Sequence, residues 1–504
     1  MGDTHRQLVR QHVFHGLTRS LCPECRRVGD AQVLRRQGAL YLRKRCPEHG
    51  WSQALVMSDA DWTLHASRYN RLGAIPRGFA TTVDRGCPHD CGLCPEHQQH
   101  TCVGLIEVTT RCNLSCPTCF ADAGDPSPTS GGYDLSVAQV ETILDRFVQH
   151  EGRPEVVQIS GGEPTIHPRI LDILAAAQAR DIRHVMINTN GLRIAQDPDF
   201  VDQLASYGPS IYLQFDGLRE STHRALRGRD LRAVKEEALN RLSQTGMTVV
   251  LVATVAQGVN EDELGDVLQV GLEHPSVLGV AYQPATFAGR YVGQDQDPLH
   301  RLTMTGVLHE LESQTEGLFR VSDFIPVPCP HPDCLACTYA YVGDEQVVPI
   351  PRLVNVEDYL DLIANRAAAE LTDEVQQALE ALWSTAAAVG SEDTTDHLTC
   401  VACGLDVSLP ADPEALKRHF FMVQVHGFMD RYTFDLERLM KCCVHQLLPD
   451  GRAVPFCAYN VLGYRHEVRA TQGSVPSGKQ GEGQGHATRC QERERSRGGG
   501  QSVD

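Results

Sequence analysis

The chain has 504 residues, 41% hydrophobic and 22% charged, with a formal net charge of −18. That length accommodates about three domains of roughly 150 residues each, and the composition is that of a globular protein. The acidic balance argues against a nucleic-acid backbone as the main partner, because phosphate binding needs an excess of Lys and Arg.

No run of ~20 apolar residues occurs, so no membrane span is expected. The opening "MGDTHRQLVRQHVFHG" lacks the apolar core of a signal peptide, which predicts a cytoplasmic protein. In that reducing compartment nineteen cysteines point to metal or catalysis rather than to disulfides.

Residues 1–84 read as an N-terminal ribbon-like metal domain. "LCPECRR" and "RKRCPEHG" supply Cys22, Cys25, Cys46 and His49, two knuckles at the spacing of a ribbon or rubredoxin-like mononuclear site. Zn or Fe fits, the Cys3His set favours Zn, and turns with unligated thiols are the alternative. A linker at 70–83 leads to an auxiliary segment, 85–102. Here Cys87, Cys91, Cys94 and Cys102 are expected to ligate a complete [4Fe–4S] cluster for electron relay or support, with a second zinc site as the alternative.

From 103 to 300 apolar, β-rich runs recur at 103–110, 155–160, 184–190, 210–216, 248–255 and 277–283. Amphipathic helices such as 135–150 and 169–181 lie between them, with Asp134 placed to cap the first. Strand–helix alternation with near-continuous apolar strands predicts an α/β fold, a partial (β/α)6 barrel. Its reactive groups should gather at the C-terminal ends of the strands.

Residues 301–467 break this rhythm and read as a C-terminal α+β region bearing a further cluster. A helix is expected near 370–389, and a turn at Pro449-Asp450-Gly451 should bring Cys443 and Cys457 together on a hairpin. Of Cys329, Cys334, Cys337, Cys442, Cys443 and Cys457, the chosen ligand set is Cys329, Cys334, Cys443 and Cys457. Cys400 and Cys403 form half of another site or stay reduced. Residues 468–504, rich in Gly, Ser, Gln and Arg, read as a disordered tail in which Cys490 has no role.

Cys112, Cys116 and Cys119 stand just beyond the first barrel strand, in "VTTRCNLSCPTCFADAG". Three thiolates at C-x3-C-x2-C can hold three irons of a cubane cluster and leave the fourth open; a zinc knuckle completed by a distant ligand is the alternative. In this position the motif resembles the radical S-adenosylmethionine (SAM) enzymes. The resemblance implies that the open iron binds the amino and carboxylate groups of SAM, and that one electron releases a 5′-deoxyadenosyl radical able to abstract hydrogen from unreactive C–H bonds. Many members carry an aromatic residue before the third Cys; here Thr118 stands there and Phe120 follows.

After the second strand, "SGGEPTIHP" is similar to the family's SAM-amine loop: Gly161 and Gly162 would let backbone approach a ligand, and Glu163 would accept from the ammonium. Asn190 in "NTNG" and Asp216 in "QFDG" end the next two strands. They are SAM-ribose or substrate candidates, or ordinary turn formers. Tyr282 and Arg290 are expected to face the same mouth.

Residues ~20–465 resemble the multi-cluster radical SAM group that includes tetraether lipid synthase and the proposed dihydro-hydroxymethylpterin methyltransferase. The resemblance implies [4Fe–4S] clusters (one radical cluster and one or two auxiliary), SAM, a mononuclear Zn or Fe, and a reductase such as ferredoxin or flavodoxin. C–C coupling of lipid chains leads, which would need an apolar tunnel lined by 370–389 and 419–434 or a peripheral membrane contact. Methylation of a reduced pterin is the alternative. A peptide-modifying enzyme and an interaction scaffold are further readings; the first usually gathers its extra cysteines after the barrel, unlike this chain.

Overall fold

The computed structural model describes residues 11–124, 132–291, 297–343, 346–353, 355–360, 364–365, 398–400, 405–407 and 419–472. The helix expected at 370–389, Cys403, Cys490 and the sequence from 473 onward lie outside them.

Four antiparallel strands, β1 (Val13–Leu21), β2 (Val28–Arg36), β3 (Ala39–Cys46) and β4 (Gly50–Met57), form an N-terminal meander in the order 1-2-3-4. The knuckle after β1 and the turn between β3 and β4 fall at one end of it, which is why the two halves of the Cys/His pattern meet. The meander is bolted to distant segments by buried polar groups. Ser20 Oγ donates to the Phe434 carbonyl (2.5 Å), Lys44 Nζ donates to the carbonyls of Tyr432 (2.9 Å) and Arg431 (3.3 Å), and Leu55 N–H donates to Pro298 O (2.9 Å).

The central strands are β5 (Val103–Thr109), β6 (Val156–Gly161), β7 (His184–Thr189), β8 (Ser210–Gln214), β9 (Val249–Val255) and β10 (Val277–Pro284). All six pair in parallel in chain order. Residues such as Ile106, Val157, Ile159, Ile187, Ile211 and Leu251 are fully buried; helices cover one face and the barrel interior fills the other, so the strands are apolar runs rather than alternating ones. The first crossover helix, Val137–Glu151, starts at a Ser136/Gln139 capping box. Asp134 is therefore not its cap: it accepts from Thr109 Oγ1 and forms an ion pair with Arg111. Its carboxylate ties the helix approach to the end of β5.

The later region adds β11 (Ile325–Pro326), β12 (Leu335–Val342), β13 (Val347–Pro349), the separate pair β14 (Leu398–Cys400) and β15 (Leu405–Val407), β16 (Phe420–His426), β17 (Val444–Leu447) and β18 (Ala453–Pro455). β16 runs parallel beside β10 and β17 runs parallel beside β5. Eight parallel strands thus stand in a row, with antiparallel β12 and β18 outside them. The stretch 419–434, a candidate tunnel lining, supplies β16; Phe421, Val423 and Val425 are core residues of the sheet. A last helix, Tyr464–Gln472, extends past residue 468.

Tyr282 does not face the mouth. It is fully buried on β10, and its hydroxyl donates to the Leu264 carbonyl in the outer helix layer (2.7 Å). Tyr282→Phe removes this extra donor to the helix's first carbonyl and should cost about 0.5–1.5 kcal/mol, read as a lowered urea midpoint; an unchanged midpoint would show that the bond contributes nothing.

Candidate active site and thiol clusters

The cluster loop begins where β5 ends, and backbone contacts set its shape. Cys112 N–H donates to Gly124 O (2.7 Å), Gly162 N–H to Thr109 O (2.8 Å), and Glu163 N–H to Arg111 O (2.9 Å). A Cβ at Gly161, where φ is +137°, would lie 2.3 Å from Thr109 O, and one at Gly162 would lie 2.1 Å from Arg111 O. These glycines are needed for the protein's own strand-to-strand approach, a different reason from the ligand contact expected of them. Arg290 braces the far side: Nε donates to Cys116 O (2.9 Å) and Nη1 to Ala123 O (2.6 Å).

Cys112, Cys116 and Cys119 share one small buried nest with Leu114, Ala121, Ala123, Leu192 and Leu231. Burial, helped by the Glu163 charge, pushes the Cys112 thiol up to about 12, and burial raises Cys116 as well. Neutral thiols are favoured there until a cation compensates the thiolates, which suits a metal centre rather than a free nucleophile.

Glu163 is 1% exposed and its carboxylate is fully engaged. Oε1 accepts from Thr165 N–H (3.1 Å), Thr165 Oγ1 (2.6 Å) and Thr189 Oγ1 (2.8 Å), and Oε2 accepts from Asn190 N–H (2.7 Å). It clasps the ends of β6 and β7 together. Asn190 bonds Asn113 of the cluster loop (2.7 Å). Asp216 is buried against Arg227, whose Nε and Nη2 donate to it at 2.7 and 2.5 Å, and also accepts from Thr254 N–H (3.0 Å). Burial opposes its ionisation, yet the guanidinium holds its pKa below the usual value.

Two cations here escaped the sequence reading. The Arg227 guanidinium reaches Cys116 as well as Asp216. Lys235 is fully buried, donating to Asn190 O (2.6 Å) and Gln214 Oε1 (3.0 Å), and burial lowers it to about 7. The signal was present: Lys235 occupies the apolar stripe of helix Arg232–Ser243, in line with Ala238, Leu239 and Leu242, where an unpaired Lys is out of place.

In the ribbon, the donor atoms of Cys22, Cys25, Cys46 and His49 all lie within 4.8 Å of one another. Cys25–Cys46 and Cys22–His49 are 3.7 Å apart and Cys46–His49 is 3.5 Å. An edge of that length fits a tetrahedron with Zn–S bonds of ~2.3 Å. The His49 hydrogen bond also pulls the Cys46 thiol down to about 6.

Cys87, Cys91 and Cys94 interact on one loop, which Asp90 shapes by accepting from the N–H groups of Asp84, Arg85 and Gly86 (2.8, 2.6 and 2.7 Å). Cys102, assigned to them from the sequence, points elsewhere. Its Sγ lies 3.4 Å from His100 Nε2 and against Cys329, with Cys443 in the same buried cluster. The Cα atoms of Cys102 and Cys329 are 7.9 Å apart, beyond the reach of an ordinary disulfide. Cys334, Cys442, Cys443 and Cys457 form a neighbouring group beside buried Arg438. The expected set of Cys329, Cys334, Cys443 and Cys457 is therefore redistributed: Cys329 turns to Cys102, and Cys442, passed over before, joins the other three. Cys337 points away along β12, its pKa raised by burial alone.

Residues 106–270 match the radical SAM superfamily, and residues 14–58 match the HMPTM N-terminal zinc ribbon domain. The chain is 31% identical over 486 residues to 7,8-dihydro-6-hydroxymethylpterin dimethyltransferase of Methanocaldococcus jannaschii, spanning 90% of this chain and 94% of that protein. It is 26% identical over 193 residues to mycofactocin maturase MftC of Mycobacterium tuberculosis and 30% over 194 residues to molybdenum cofactor biosynthesis protein 1 of Bos taurus. Those alignments cover 47% and 29% of the relatives. Among solved structures, Streptococcus suis SuiB bound to its precursor peptide SuiA aligns over 44% of this chain and 46% of that one, at 18% identity and TM-score 0.36. Among the described residues no helix is long and apolar enough to cross a membrane.

Asp216→Ala would leave the Arg227 guanidinium buried without its counter-charge and should cost about 3–5 kcal/mol. Removing both charges together, as Asp216→Leu with Arg227→Met, should recover most of that loss in chemical denaturation. A single variant as stable as the parent would mean the pair carries no structural weight.

Proposed function

The chain belongs to the radical SAM superfamily, and from that premise we propose that it methylates a reduced pterin, using a [4Fe–4S] cluster held by Cys112, Cys116 and Cys119. The observation that carries this reading is the pterin dimethyltransferase relative, which matches from ribbon to C-terminal helices rather than over the barrel alone. Coupling of lipid chains, the leading expectation from the sequence, draws no support from the relatives named above, and Phe421, Val423 and Val425 of the stretch 419–434 suggested for its tunnel are sheet core.

Membership implies a [4Fe–4S] cluster and SAM, and the donor chemistry fits: three soft sulfur ligands in a buried nest, with no fourth thiol in the group. When bound, that pair supplies a radical strong enough to break an unactivated C–H bond. The protein's own contribution is positioning. Glu163 locks β6 to β7, Asn190 and Asn113 fix the loop's inner edge, and Arg290 fixes its outer edge. Arg227 places positive charge beside Cys116 and offsets part of the burial that disfavours its thiolate. Cys87, Cys91 and Cys94 are proposed to hold an auxiliary cluster, as are Cys334, Cys442, Cys443 and Cys457. Cys22, Cys25, Cys46 and His49 are proposed to hold Zn.

Cys116→Ala should abolish release of 5′-deoxyadenosine from SAM by the anaerobically reconstituted, chemically reduced enzyme; parental turnover would overturn the assignment. Cys22→Ser should lower bound zinc by one ion per chain, measured by elemental analysis. Incubation with 7,8-dihydro-6-hydroxymethylpterin should add the mass of one or two methyl groups, and lipid extract should be unchanged. Modified lipid with unmodified pterin would reverse the reading.

A further inference from the structure

A cavity of about 190 Å³ lies against the cluster loop. Its walls include Phe120, next to Cys119, and the Ala288–Gly289 arch, which comes so close that a Cβ at Gly289 would lie 2.3 Å from the Cys119 carbonyl. The remaining walls come from Arg26 of the ribbon, Arg431 after β16, and Tyr459, Arg465 and Arg469 of the C-terminal helices. Four guanidinium groups thus converge beside the candidate active site in a chain whose net charge is −18.

Their partners are unequal. Arg465 is neutralised by buried Glu107 (2.6 Å) and donates to Phe120 O (3.0 Å). Arg469 donates to Ala121 O (2.7 Å), lies 4.0 Å from Asp122, and keeps a buried Nε without a partner. Arg26 and Arg431 have no carboxylate partner among the described residues. Asp122 is the one acidic side chain lining the space, and it also lies 3.4 Å from Arg290. Arg26 and Arg431 face the same space without counter-ions, so an anion between them stabilises the arrangement. Planar guanidinium forks are the side chains best matched to phosphoryl oxygens.

SAM does not answer this description. It carries an ammonium and a sulfonium against one carboxylate, a net cation that the uncompensated Arg26 and Arg431 repel. Nor does a neutral pterin alcohol need them. The aromatic walls favour a flat ring close by: Phe120 is 40% exposed, and the Arg465 guanidinium lies 5.8 Å above its ring and 4.8 Å above that of Tyr459. The space is smaller than the roughly 300–1,000 Å³ of a whole-ligand pocket and suits one substituent of a larger molecule.

We propose that this cavity is an anion subsite for a phosphoryl or diphosphoryl group borne on the ring substrate, with Arg26 and Arg431 as its binding residues. A phosphorylated ester of the hydroxymethyl ring compound, supplied by a kinase-type reaction that precedes this one, then binds more tightly than the free alcohol. The assignment to a pterin ring rests on the function proposed above; the anion subsite rests on the cavity alone.

Two titrations of anaerobic holoenzyme separate these claims. The first uses pyrophosphate alone, against the parent and the Arg26→Gln/Arg431→Gln variant, with zinc and iron contents checked to be equal. The expected result is binding that falls with rising salt and weakens at least tenfold in the variant. No binding to the parent, or equal binding by both, overturns the subsite. The second compares 6-hydroxymethyl-7,8-dihydropterin with its diphosphate ester on the parent protein and needs no variant. The ester should bind at least tenfold tighter. Arginine-dependent pyrophosphate binding with no binding of either pterin upholds the subsite and overturns the pterin reading. Equal binding of ester and alcohol without pyrophosphate binding upholds the pterin reading and overturns the subsite.

Discussion

A backbone contact organises the centre of this protein: the Gly161-Gly162 turn after β6 presses on the Thr109 and Arg111 carbonyls at the end of β5, with no room for a Cβ on either glycine. Because the turn sits there, Glu163 is carried inward, where it collects four hydrogen bonds and joins β6 to β7. Because Glu163 is held, Asn190 is held, and Asn190 reaches Asn113 between the first two thiols of the cluster loop. The loop packs its own small apolar nest, and this chain of contacts fixes that nest to the strand ends.

The second organising feature is the way the sheet is completed. Six parallel strands leave an open barrel, and the later part of the chain adds a parallel strand at each edge before antiparallel strands finish the sheet. The thiols of Cys102, Cys329 and Cys443 belong to segments flanking opposite edges, yet they form one buried cluster. The carboxylate of Glu151, its side chain 4% exposed, lies 3.2 Å from His100 Nδ1, and His100 Nε2 in turn lies 3.4 Å from Cys102. Such carboxylate–imidazole pairs commonly orient histidines beside metals.

The six strands were legible because parallel strands buried on both faces are uninterrupted apolar runs, and the structure matches each to within a few residues. The ribbon was legible because its donors come in two local knuckles. What failed was long range. Cys102 and Cys329 are 227 residues apart, and nothing local in "HQQHTC" tells a thiol that its neighbours lie across a sheet edge rather than on the adjoining loop. Asp134 failed through competition: both it and Ser136 suit a helix cap, and the Arg111 guanidinium claims the aspartate. Glu163 and Asp216 were found as residues and expected as ligand contacts, but a sequence does not show the hydrogen bonds and ion pair that each makes within its own fold. Lys235 was overlooked because it sits among ordinary helix formers, although its place on the apolar stripe set it apart.

The separation of Cys102 from Cys329 and Cys443 also bears on biogenesis. A ribosome makes the six central strands before Cys329, which belongs to the opposite edge of the sheet, and before Cys443, which precedes the strand beside β5. The three thiols of the loop after β5 are made together, whereas Cys102 gains all its sulfur neighbours only once the last hairpin has emerged. A nascent chain halted before β17 would therefore hold Cys102 and Cys329 without the third thiol of their buried cluster.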